Sequence, residues 1–182
     1  MRLAPVVLVL VSLVGCGSRE PAPSSGASPD PGRPCTAMAC LDEGAVVLRY
    51  DAAHFRTGAH HFEITADGQT VRCDAQLTSL TETVFATCDG RAQVHVGAET
   101  RMVEVQLPGM PGVVGATAEV VEGRFHATIT VYTTPASIHV VHTIDGAPHA
   151  DRTASLTYAE HRPNGPGCDP VCQQGRVELE GP

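Results

Sequence analysis

The sequence contains no lysine and no tryptophan, only one asparagine, and 4% aromatic residues. Without lysine, positive charge rests on 12 arginines against 20 acidic residues, for a formal net charge of -8 with histidine neutral. Proteins that bind nucleic acid or anionic lipid headgroups carry a basic stripe, so neither partner is expected. Four Phe, three Tyr and no Trp exclude the buried tryptophan of antibody-type domains and leave the core to Val, Leu, Ile and Ala. A single asparagine, Asn164, and few serines in the C-terminal part restrict nucleophile and oxyanion-hole candidates. HExxH, G-x-S-x-G, a Walker A loop and a G-x-G-x-x-G after a strand are all missing. No apolar run reaches the roughly 20 residues of a transmembrane helix.

What is present begins with an address. Arg2 precedes an apolar run over residues 6–14, followed by small residues, the pattern of a secretory signal. The run ends in Leu13-Val14-Gly15-Cys16, which resembles the lipobox of bacterial lipoproteins. That resemblance implies cleavage after Gly15, a signal peptide over residues 1–15 and acylation of Cys16, through its sulfur and usually its amine. Two or more chains give stable attachment to a lipid bilayer. Position 17 is Gly rather than Asp, which by the same resemblance implies delivery to the outer membrane, facing the periplasm or the cell surface.

Residues 17–34 hold five Pro, three Gly and four Ser and no aliphatic side chain larger than Ala. Such a segment buries nothing, so residues 16–34 read as a lipidated Cys and a disordered tether, with the folded domain over 35–182.

From residue 35 onward the apolar pattern has period two. Phe62, Ile64 and Ala66 share one face, as do Val71, Cys73, Ala75 and Leu77, with Asp67-Gly68 between them as a two-residue hairpin turn. Asp145-Gly146 marks a similar hairpin, and the two are expected at comparable places in two packed sheets. Further strands are expected over 45–50, 83–88, 92–98, 101–107, 117–122, 125–133, 137–144, 152–158 and 176–180. Short strands separated by Gly, Pro and Asp predict an all-β fold, an antiparallel Ig-like β-sandwich. The Cys-rich ends, the Asp-Gly hairpins and the closing stretch from Arg162 through Cys168 and Cys172 resemble small envelope lipoproteins, a likeness that brings no activity with it.

Export would place the six remaining cysteines in an oxidising compartment, where three disulfides are expected. Cys73 on an inward strand face and Cys88 on the next strand form one expected pair. For the others, the local pairing Cys35 with Cys40 and Cys168 with Cys172 is favoured over crossed pairs that would staple the chain ends together. The spacings C-x4-C and C-x3-C do not suit structural zinc.

Nine histidines raise an alternative, a transition-metal site assembled from several strands. His60 and His61 are adjacent and His139 and His142 three apart, so neither pair shares a face of a regular strand. His149 with Asp151, and His61 with Glu63, have the spacing that sets an imidazole beside a carboxylate, although such pairs more often face solvent as cross-strand neighbours. Glu63, Asp74, Glu82, Glu104 and Glu119 read as solvent-facing, and a hydrolase with an unrecognised site is a third reading. The leading expectation is a non-enzymatic binding or structural module of the bacterial envelope, without cofactor, whose partner is an envelope protein or glycan. Residues 101–111, a strand and a Gly/Pro turn, are one candidate working surface.

Overall fold

The computed structural model describes residues 35–110 and 112–181; the expected signal peptide, acylated Cys16 and tether lie outside the described residues. Among these there are eleven strands and no helix. Sheet A orders its strands β10 (Tyr158–His161), β11 (Cys172–Glu180), β1 (Glu43–Asp51), β7 (Val114–Val131), β6 (Ala92–Gln106) and β4 (Thr83–Phe85). Sheet B orders them β5 (Thr87–Cys88), β3 (Gln69–Leu77), β2 (Gly58–Ala66), β8 (Ser137–Ile144) and β9 (Ala147–Ser155). The two sheets pack as a β-sandwich around an aliphatic core.

That core follows from the period-two pattern. Val46, Leu48 and Tyr50 of β1 face Phe62, Ile64 and Val140 of sheet B, with Leu77, Val94, Val96, Ile129 and Ile138 also fully enclosed. Each fully buried aliphatic or phenyl side chain contributes about 1.5–3 kcal/mol, and no tryptophan is needed. Asp67 and Asp145 adopt φ of 49° and 51°, followed by Gly68 and Gly146 at 74° and 76°, the paired positive φ values that a tight Asp-Gly hairpin requires.

The sandwich is predominantly antiparallel, as expected, with one pair in parallel, β1 with β11, Glu43 opposite Gln174 through Arg49 opposite Glu180. Other expectations need correction. The two Asp-Gly hairpins lie side by side in one sheet, because β2 pairs with β8. Residues 83–88 do not form one strand; the chain changes sheet at Ala86, with β4 in sheet A and β5 in sheet B. Residues 152–158 divide likewise between β9 and β10. Conversely, the expected strands at 92–98 and 101–107 fall in the single strand β6, and those at 117–122 and 125–133 in β7, because the ladder that is interrupted after Ala98 opposite Phe125 resumes at Thr100 opposite Val120.

The cysteines correct the local pairing. Cys73 bonds Cys88 as expected, but Cys35 bonds Cys168 and Cys40 bonds Cys172. The parallel β1–β11 pair is the cause: it brings the segment before β1 beside the segment before β11. Asn164, buried at 8% exposure, completes this clamp. Its Oδ1 accepts from Thr36 Oγ1 at 2.7 Å and the Met38 amide at 2.8 Å, and its Nδ2 donates to the carbonyls of Met38 and Asp169.

Candidate functional site

The strand register sorts the molecule into two ends. The disulfide clamp sits where β1 and β11 begin, and Gly44 there lies opposite Val131, the end of β7. At the other end β1 stops at Asp51 opposite Arg124, while β6 and β7 continue as a two-stranded arm. The Tyr50 side chain, the β1–β2 loop and the Asp145-Gly146 turn share this second end.

In the arm, Thr100 pairs with Val120 and the ladder runs out to Gln106 opposite Val114. Neither strand has another partner there among the described residues: β4 reaches only to Thr83 opposite Gly97 and β1 to Asp51 opposite Arg124. The arm leaves the sheet where residues 121–124 stand opposite Glu99 alone, with Gly123 at φ 70°. Its tip is closed by Leu107 and Val113 amide–carbonyl bonding at 3.1 Å and by Gln106 Nε2, which donates to the carbonyls of Met110 and Val113. No charged residue occurs from Val105 to Ala118. Met102 is 69% exposed, and Val114, Met110, Val120 and Val113 are all exposed as well. The expected surface at 101–111 is thus half of a longer element whose other strand the sequence pattern did not join to it.

Beneath the β1–β2 loop lies a polar chain in the core. Tyr50 Oη stands 3.0 Å from His142 Nδ1, His142 Nε2 stands 3.0 Å from His60 Nδ1, and His60 Nε2 stands 3.1 Å from the Arg56 carbonyl. A carbonyl only accepts, so His60 carries its proton on Nε2 and accepts at Nδ1; His142 therefore donates from Nε2 and accepts the Tyr50 hydroxyl proton at Nδ1. Every link is satisfied with both rings neutral. Burial holds His142 down to about 2, with the neighbouring His60 and His149 adding to the effect, and burial also lowers His60 and raises Tyr50. Phe62 stacks on His142 with centroids 4.2 Å apart.

His149 completes the cluster for a reason invisible in the alternation. Between His142 opposite Ala150 and Thr143 opposite Pro148, it is the extra residue of a β-bulge, which turns it toward Tyr50 and His142 at 4.9 Å each. Its Nε2 is buried without a hydrogen-bond partner among the described residues, and burial lowers its pKa to about 4. Beside it opens a pocket of about 400 Å³ lined by Ala53, His54, Phe55, Arg56, Pro148 and His149.

The expected histidine–carboxylate pairs are regrouped. Asp151 meets His139 at 2.8 Å from the adjacent strand, not His149, because the bulge separates the two. His61 bonds Asp74 across the β2–β3 pair, while Glu63 takes Arg72 at 2.9 Å. These are exposed cross-strand neighbours. Glu63, Asp74, Glu104 and Glu119 face solvent; Glu82 is half-buried and caps the turn at Thr78 and Ser79. Among the described residues no three His, Cys, Asp or Glu side chains are placed to hold a metal ion.

Fold and site therefore define a disulfide-clamped β-sandwich with one elaborated end. No protein-family model, curated protein or solved structure matches the chain.

Proposed function

We propose that the protein is a non-enzymatic binding module of the bacterial envelope, held to the outer membrane by an acylated Cys16 and presenting the β6–β7 arm to an envelope partner. The observation that carries this reading is the separation of clamp and arm. The chain that would lead from Cys16 enters at the disulfide end, and β6 runs its 15 residues, about 50 Å of extended strand, toward the opposite end. An anchor at one pole and, at the other, a ribbon whose outer part from Val105 to Ala118 carries no charge suit a protein that displays a recognition element away from the bilayer. The lipobox residues support the anchor, and three disulfides suit an oxidising compartment. The polar groups of the elaborated end bond largely to one another, which supports binding over catalysis.

Two measurements test it. In intact cells, a photo-crosslinking residue at Met102 or Met110 is expected to give a discrete adduct absent when the same residue stands at Thr65, near the clamp end of sheet B. Cys16→Ser is expected to abolish lipid labelling and release the protein from membranes. No arm-specific adduct sinks the display reading, and retained labelling sinks the anchor.

A further inference from the structure

The outer face of sheet A, away from sheet B and reaching the base of the arm at Glu99 and Thr100, is not flat. Across it, Phe85, His95, Thr128, Val47 and Glu178 form one cross-strand row, and Thr83, Gly97, His126 and Arg49 the next. Thr128 and Val47 are short and lie among the longer His95, His126 and Arg49, so the face sinks into a trough of about 420 Å³. Its floor is Ala45, Val47 and Thr128, buried at 7%, 2% and 7% exposure although they point away from the core.

The chemistry of the lining is mixed. Arg49 is fixed between Glu99 and Glu178, at 2.7 Å from each carboxylate. Arg176 makes a single 3.3 Å contact with Glu178 and keeps donors free. The lining arginines, Arg49 and Arg176, balance Glu43 and Glu99, so the trough offers no net charge to attract an ion. His95 and His126 meet edge to face at 5.6 Å, burial keeps both below the usual histidine pKa, and His126 Nδ1 is buried without a partner among the described residues. Phe85, 66% exposed on the short edge strand β4, lies 5.7 Å from the His95 ring.

We propose that this trough binds a neutral saccharide, laid across the strands from Phe85 to Arg176. Neutral imidazoles, threonine hydroxyls and Arg/Glu pairs mix donors and acceptors, as vicinal hydroxyls require, and an exposed aromatic ring beside an aliphatic floor suits the C–H faces of a sugar. From β4 to β11 there are four strand spacings, about 19 Å, room for a short oligosaccharide.

The test is an NMR titration of the full-length protein with maltotriose, cellotriose and N,N′,N″-triacetylchitotriose, with inorganic phosphate as the ionic comparison. At least one sugar is expected to give saturable shifts at His95, His126 and Thr128 with a Kd in the millimolar range or tighter. Phe85→Ala and Thr128→Val, both conservative of the fold, are each expected to weaken that binding about tenfold. Saturable shifts from none of the sugars, sugar shifts centred elsewhere, or stronger binding of phosphate than of any sugar overturns the proposal.

Discussion

The hydroxyl of Tyr50 in sheet A donates to Nδ1 of His142 in sheet B, 3.0 Å away, and this is the first link of a hydrogen-bond chain that crosses the sandwich. Because both groups are enclosed, removing one partner leaves the other unsatisfied. Tyr50→Phe keeps the ring packing on Phe55 and His149 but strips the donor. It is expected to lower stability by about 1–3 kcal/mol in urea denaturation. An unchanged midpoint would show that the His142 nitrogen finds water instead.

Stability is expected to fall in acid. His149 titrates near 4 when folded, with burial as the first cause, whereas an exposed histidine in the unfolded chain titrates near 6.5. Above 6.5 the group is neutral in both states and has no effect. As pH falls from 6.5 toward 4 the unfolded chain takes up a proton that the folded one refuses, so folding weakens across that window. His142 and His60 act in the same direction, and His142 extends the loss toward pH 2. Denaturation midpoints at pH 7, 5.5 and 4 check this, and His149→Gln is expected to flatten the upper part of the decline.

The two clamp disulfides close nearly the same loop, with sequence separations of 133 and 132. Once one is formed, the other removes little further freedom from the unfolded chain. Replacing Cys35 and Cys168 by Ser, or Cys40 and Cys172 by Ser, is therefore expected to cost much less than replacing all four, for which about 2–5 kcal/mol is expected. Peptide mapping under non-reducing conditions is expected to recover Cys35 with Cys168 and Cys40 with Cys172. Recovery of local pairs would contradict the clamp.

An isolated two-stranded ribbon is marginally stable in water. Amides in residues 101–106 and 114–119 are expected to exchange with solvent far faster than those of Val94, Val96, Ala127 and Ile129 in the same two strands. Replacing 101–119 by a two-residue turn is expected to leave the thermal midpoint of the sandwich nearly unchanged, because the arm adds no side chain to the core. Equal protection along both strands would mean the arm is already covered.

Local chemistry alone determined the all-strand architecture, the inward faces at Phe62, Ile64, Cys73 and Leu77, the Asp-Gly turns and the Cys73–Cys88 pair. These depend on side-chain alternation and on turn φ values, and both are written within a few consecutive residues. The tertiary structure decided what depends on distant segments meeting. The parallel pairing of β1 with β11 crossed the remaining disulfides and brought Thr36 and Met38 to Asn164. One bulged residue moved His149 from a carboxylate neighbour to a core cluster, a change that no period-two reading contains because a bulge breaks the period. His60 and His142 were separable from His61 and His139 by face, but their meeting required β2 and β8 to be neighbours. The trough on sheet A likewise exists only because Ala45 and Val47 of β1 fall beside Thr130 and Thr128 of β7, a coincidence of register that the order of residues along the chain does not display.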